Sequence, residues 1–218
     1  MIDQLISELV AYGLENGLID DADKVYVTNG LLELFQRQDY QEPEKLGKPR
    51  KLQLILDDLL EFALSQGILE DDTVTMRDLF DTKIMGILTP APSVVRKIFE
   101  EKYQVSPKAA TEFYYHFSQA TNYIRTDRII KDEKWETDTE FGKMVITINL
   151  SKPEKDPRDI AKAGTAKKSG YPACLLCREN EGYAGHLTHP ARQNHRIIPI
   201  TLCGDCLLYT SDAADDLT

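Results

Sequence analysis

The sequence predicts an α+β protein in which a helical amino-terminal domain precedes the start of an antiparallel β domain. Three observations support this prediction. Apolar residues recur every three or four positions over the first 125 residues, they alternate from about residue 124, and no period remains beyond residue 202. We therefore predict a helical domain at residues 1–125, an incomplete β domain at 126–202 and a tail foreign to both at 203–218.

An internal repeat organises the helical domain. A shift of 50 positions places Leu9 on Leu59 and Gly17 on Gly67, with matching apolar residues on both sides. Each copy has the pattern of an amphipathic helix, a glycine that ends it, an apolar pair, an acidic turn and a second helix. Because no third copy follows, we expect one compact helical unit with both leucines in its core.

The same two periods predict the remaining elements. Helices are expected at Thr75–Ile87, Ser93–Tyr103 and Ser106–Tyr123. Strands are expected at Ile124–Ile130 and Met144–Leu150, which are rich in β-branched residues and alternate between apolar and polar. A hairpin or a pair of neighbouring strands should therefore follow the helical domain.

The composition indicates a globular protein of the cytoplasm. Of the 218 residues, 42% are apolar and 28% are charged. The apolar runs stay far below the roughly 18 residues that a membrane span needs, and an acidic amphipathic segment follows Met1 where a secretory signal would be basic and apolar. We expect a cytoplasmic location and no membrane partner.

Charge is distributed unevenly along the chain. Residues 1–142 contain 16 basic and 27 acidic side chains, whereas residues 143–196 contain 10 basic and 5 acidic ones. A basic block of this kind can attract an anionic ligand, and it equally fits solvated loops. Only Tyr171 and Tyr183 could stack on bases there, so we do not expect a nucleic acid as the ligand.

All four cysteines lie after residue 173, in two Cys-x-x-Cys pairs. Cys174 and Cys177 can reach one zinc ion from a tight turn, with three histidines close behind them in sequence. An isolated pair without metal and, less well, a redox pair are the alternatives, since a polar turn follows where a redox helix would start. We discount Cys203 and Cys206 because they open the aperiodic tail.

Three long runs of the sequence resemble one enzyme family. They are YPACLLCRENEGY at residues 171–183, HPARQNHR at 189–196 and ITINLSKPEKDPRDI at 146–160. Together with the helical opening, they are similar to the bacterial second class of galactose-1-phosphate uridylyltransferases. The resemblance covers residues 1 to about 202, the amino-terminal part of that class.

The resemblance implies a fold, a reaction and partners. The fold is related to the histidine-triad proteins. The implied transferase of galactose metabolism, a UDP-glucose–hexose-1-phosphate uridylyltransferase, moves UMP from UDP-glucose to galactose 1-phosphate. A histidine attacks the α-phosphorus and holds the uridylyl group until the second sugar phosphate accepts it. A homodimer of the full-length protein and a structural metal on Cys174 and Cys177, with zinc as the cofactor, are also implied.

The basic block supplies the candidate contacts to the diphosphate of the substrate. A helix start at Asp156 and Pro157, beside lysine and arginine, suits a phosphate. The candidate substrate-binding residues are Lys152, Lys155, Arg158, Arg178 and Arg192. Each of them individually also fits a surface charge.

The chain departs from the family at the nucleophile. The family has a His-x-His pattern well downstream, whereas the four histidines here are at 116, 186, 189 and 195. We therefore assign no catalytic residue and expect this chain, as a truncated enzyme, to be inactive. The alternative function is a non-enzymatic zinc-knuckle binding module on a helical adaptor, and a redox protein is third.

Overall fold

Helices followed by a hairpin make up the part of the chain that the computed structural model describes, residues 2–70 and 72–148. The helices are α1 (Ile2–Glu15), α2 (Lys24–Leu34), α3 (Leu52–Ser65), α4 (Val74–Leu88), α5 (Pro92–Val105), α6 (Pro107–Ala120) and α7 (Thr126–Ile129). The strands are β1 (Glu133–Thr139) and β2 (Gly142–Ile148), which pair antiparallel. The predicted α+β class is confirmed, while the histidine-triad relationship and the domain boundaries stay predictions.

The two copies of the repeat fold alike. The helix pairs α1–α2 and α3–α4 start at positions 50 residues apart, and both first helices end before a glycine with a positive φ, 65° at Gly17 and 68° at Gly67. In each copy the residue after the glycine donates its amide to the carbonyl four residues before the glycine, at 2.9 Å. These are the hydrogen bonds of a glycine helix cap, as the sequence predicted.

The core lies between the two helix pairs. Leu9 and Leu59 have no exposed surface, which confirms the prediction for both copies. The ring of Phe35, at the end of α2, meets Phe62 and Phe80 edge to face, with centroids 6.0 and 5.8 Å away. Since full burial of such a side chain stabilises a fold by about 1.5–3 kcal/mol, this core is what holds the helices together.

The next two helices pack on each other and extend the same core. Pro107 occupies the first turn of α6, and the Ser106 hydroxyl caps that helix by accepting the amide of Ala109 at 3.0 Å. Phe117 and Ala120 of α6 join the buried cluster of the repeat. The Tyr12 hydroxyl of α1 donates to the Ala120 carbonyl at 3.0 Å, so the end of α6 is tied to the first helix pair.

The predicted strand Ile124–Ile130 is wrong, because this stretch forms a turn and the short helix α7. Arg125 and Arg128 are three residues apart, so a helical turn directs both side chains to one side, where a strand would direct them to opposite faces. The partner of the second strand is Glu133–Thr139 instead. Its polar residues hid it, since a strand with two exposed faces gives little apolar signal.

The hairpin has one apolar and one charged face. Trp135 pairs with Ile146, and Met144 and Ile148 lie on the same face. Lys134, Glu136, Asp138 and Lys143 lie on the opposite face. No residue of β1 or β2 is buried in the described part of the molecule. The predicted strand Met144–Leu150 is confirmed as far as Ile148, and its last two residues lie outside the described range.

Candidate functional site

The site residues that the sequence singled out all follow β2 and lie outside the described residues. They are the substrate-binding candidates Lys152, Lys155, Arg158, Arg178 and Arg192, the metal candidates Cys174 and Cys177, and the discounted Cys203 and Cys206. Their roles stay predictions. The described ranges contain His116 and no group of three or more side chains that could hold a metal ion.

A groove of about 550 Å³ opens between the end of α1, the start of α3 and the helices α6 and α7. Polar side chains on its rim include Lys51, Gln53 and His116, above an apolar floor that contains Phe117. Asn122, with φ 59°, lines the same groove, and its amide nitrogen is buried without a partner among the described residues. The groove therefore offers hydrogen-bond donors. No sequence pattern predicted this groove, because an asparagine after a helix fits a cap.

Two aspartates of α4 meet two arginines of the α7 segment. We call this the Asp–Arg cluster (Asp78, Asp81, Arg125 and Arg128). A terminal nitrogen of Arg125 lies 3.1 Å from a carboxylate oxygen of each aspartate. Arg128 holds both oxygens of Asp78, one of them at 2.9 Å. Paired hydrogen bonds of this kind are the strong, orienting form of the arginine–carboxylate contact.

Asp81 is the buried member of the Asp–Arg cluster. Its side chain is 4% exposed, and its second oxygen, Oδ1, has no hydrogen-bond partner in the described part of the chain. Burial raises the pKa of this carboxyl to about 6, against the lowering effect of Arg125. The carboxylates of Asp78 and Asp57 raise the pKa further, although burial is the largest cause.

Outside the Asp–Arg cluster, the guanidinium of Arg50 joins the two helix pairs. Arg50 donates to Glu8 of α1 at 2.9 Å and to Asp58 of α3 at 2.9 Å, and the Arg50 backbone amide also donates to Glu8 at 2.8 Å. Glu8 and Asp58 are equivalent positions of the repeat. The hydrogen bond from Arg50 holds the pKa of Glu8 below its ordinary value. This contact fixes the long connection between the copies and is structural.

Both charge clusters thus hold elements together through ion pairs, and within the described residues Oδ1 of Asp81 stays without a hydrogen-bond partner. Neither places a nucleophile beside a base, and we assign no chemistry to them. No helix in the described ranges is long and apolar enough to cross a membrane. The predicted substrate-binding residues come after the described part of the molecule in the sequence, beginning with Lys152.

Comparison with known proteins identifies the family. A model described as "Galactose-1-phosphate uridyl transferase, N-terminal domain" matches residues 17–212. A galactose-1-phosphate uridylyltransferase of Butyrivibrio fibrisolvens is 51% identical over 203 residues, which are 93% of this chain and 52% of the relative. The protein of that name from Clostridium acetobutylicum is 50% identical over 202 residues, 93% of this chain and 40% of the relative.

A third relative of the same name, from Bacillus subtilis, is 45% identical over 201 residues, 90% of this chain and 39% of the relative. No solved structure matches the chain. The chain spans about half the length, or less, of these relatives. The match supports the family resemblance of the sequence and gives no support to a separate zinc-knuckle adaptor. The chain belongs to the galactose-1-phosphate uridyl transferase family, whose N-terminal domain it matches.

Proposed function

We propose that this chain is part of a UDP-glucose–hexose-1-phosphate uridylyltransferase, which transfers UMP from UDP-glucose to galactose 1-phosphate. One observation carries the proposal: 51% identity over 203 residues to a protein named galactose-1-phosphate uridylyltransferase. The aligned stretch includes the helical repeat, the hairpin and most of the basic block. Identity at this level over 93% of the chain supports a common reaction and common substrates.

The reaction divides the work between binding and covalent chemistry. A histidine forms a bond to the α-phosphorus while the bond to the leaving glucose 1-phosphate breaks, and galactose 1-phosphate then accepts the uridylyl group. Lys152, Lys155, Arg158, Arg178 and Arg192 are proposed to bind the anionic phosphates. Without a His-x-His pattern, the 218-residue chain should bind UDP-glucose weakly and not turn it over.

A chimera tests this proposal. Residues 1–202 of this chain, followed by the remaining part of the Butyrivibrio fibrisolvens relative, should form UDP-galactose from radiolabelled UDP-glucose and galactose 1-phosphate. The 218-residue chain alone should give no product above a heat-killed control, because loss of a nucleophile removes several orders of magnitude of rate. An inactive but folded chimera, beside an active relative, would contradict the proposal.

Zinc and the oligomer complete the proposal. The thiolates of Cys174 and Cys177 suit zinc, so bound metal should be lost when both are changed to serine. The same change at Cys203 and Cys206 is the matched control and should leave the metal content unchanged. Zinc lost only with the second pair would contradict the assignment. We also propose that the full-length protein is a homodimer and lies in the cytoplasm. Light scattering of the chimera would check the oligomeric state.

A further inference from the structure

The hairpin is attached to the helical domain through a short segment. α7 ends at Ile129 and β1 begins at Glu133. Within the described residues, β1 and β2 form a sheet only with each other, and neither strand has a buried residue. Packing into the helical core therefore does not fix the hairpin in this part of the molecule. The linking segment is itself hydrogen-bonded to α7, because the amides of Lys131 and Asp132 donate to the carbonyls of Arg128 and Ile129 at 2.9 and 3.0 Å, so the orientation of α7 is passed to the strand that follows.

The Asp–Arg cluster bridges α4 and this segment. Arg125 reaches Asp78 and Asp81, and its second terminal nitrogen donates to the Asp78 backbone carbonyl at 3.3 Å. Arg128 adds the paired contact to Asp78. The side chains of Arg125 and Arg128 are only 20% and 29% exposed. Solvent screening is accordingly weaker here than at a surface ion pair.

Asp81 occupies a buried position at which the other copy of the repeat has an apolar residue. The repeat places Leu31 at the equivalent position, and Leu31 has no exposed surface. Leucine fills this position in the first copy, whereas a buried carboxylate is costly unless a cation pairs with it. A buried charge can be retained for the specific orientation that it imposes on its partner. For Asp81 that partner is Arg125.

We propose that the Asp–Arg cluster is the joint that sets the orientation of the β-hairpin relative to the helical domain. Opening the joint leaves the helices folded and frees the hairpin to move on the nanosecond scale. The proposal does not rest on transferase activity. It concerns the strand after which every predicted substrate residue follows in sequence, beginning with Lys152.

The single tryptophan of the chain makes this joint measurable. Trp135 lies in the middle of β1, and the sequence contains no other tryptophan. The test is time-resolved fluorescence anisotropy of the 218-residue chain, comparing the parent with the variant Asp78→Asn/Asp81→Leu. The variant should raise the amplitude of the fast component about twofold, because loop and segment motions fall in the nanosecond range. Its circular dichroism at 222 nm should show that the helices remain folded, although the urea midpoint should fall because Arg125 and Arg128 lose their carboxylate partners.

The control and a second variant keep the test decisive. Asp58→Asn removes a guanidinium contact of Arg50 elsewhere in the helical domain and should leave the Trp135 anisotropy unchanged. Arg128→Gln opens one half of the joint without touching the core, and it should raise the amplitude of the fast anisotropy component by less than the double variant does. This variant carries the test if the double variant fails to fold. Parent-like anisotropy in the folded double variant, or in Arg128→Gln, would overturn the proposal.

Discussion

The first helix pair (α1 and α2) and the second helix pair (α3 and α4) share one fold with different electrostatics. Their cores match at Leu9 and Leu59, and their first helices end at the same kind of glycine. They differ where Leu31 of the first pair corresponds to Asp81 of the second. Both residues are buried, but only the aspartate binds an arginine of the α7 segment.

The comparison separates the features that both copies of the repeat share from the one that distinguishes them. Apolar packing and the glycine caps are common to both copies. A carboxylate at this position is not common to the two copies, because the first copy has leucine there. In the second pair this buried carboxylate binds Arg125, in the segment that leads to the hairpin.

Placing an aspartate at the leucine position of the first copy gives the largest expected effect. Leu31→Asp should destabilise the chain by about 3–5 kcal/mol at pH 7, because it buries a carboxylate inside an apolar cluster. Urea unfolding followed at 222 nm measures the loss. Leu31→Asn is the matched control, since asparagine has nearly the shape of aspartate without its charge. This variant should lose less stability. Equal losses for both variants would show that charge is not what separates the two copies.

The pH dependence of stability should separate the copies next. The folded pKa of Asp81, about 6, lies above its ordinary value of 3.8. The stability of the neutral carboxyl is therefore fully present below pH 3.8 and lost as the pH rises through 6. The stability of Asp81→Leu relative to the parent should thus rise by about 2 kcal/mol between pH 4 and pH 7.

Glu8 of the first helix pair provides the opposite sign. The hydrogen bond from Arg50 holds its pKa below 4.5, so its contribution is present above that pH and lost as the pH falls. Glu8→Gln should be less stable than the parent at pH 7 and approach it in acid. Urea unfolding of the parent and both variants at several pH values checks both signs. Parallel profiles for the Asp81 and Glu8 variants would contradict this account.

Much of the helical fold could be predicted because its information is local. The caps at Gly17 and Gly67 and the repeat follow from short spacings, and the structure bears them out. The stretch at 124–130 was mispredicted because its isoleucines and threonine favour a strand, whereas in the fold Arg125 and Arg128 bind aspartates of α4 across more than 40 residues of sequence. Sequence periods cannot report a contact of that range.

For the candidate site, the sequence predicted the family, and the site residues stay predictions. Long runs of similar residues pointed to the family, and the comparisons confirm that family. Spacing alone left open whether Cys174 and Cys177 bind metal, since donor types do not fix coordination without the positions of the other ligands. Neither the Asp–Arg cluster nor Asn122 carries a motif. Both arise from elements that meet only in the folded chain.

The smallest effect should come from the two glycine caps, where the copies ought to be indistinguishable. Gly17→Ala and Gly67→Ala each place a side chain at φ 65° and 68°, and neither added methyl group would meet another atom within 4 Å. The whole cost is then backbone strain, about 1 kcal/mol for an L-residue in the left-handed region. Urea midpoints of the two variants should fall by the same amount. A loss at one glycine only would show that the copies differ in more than the charge at Asp81.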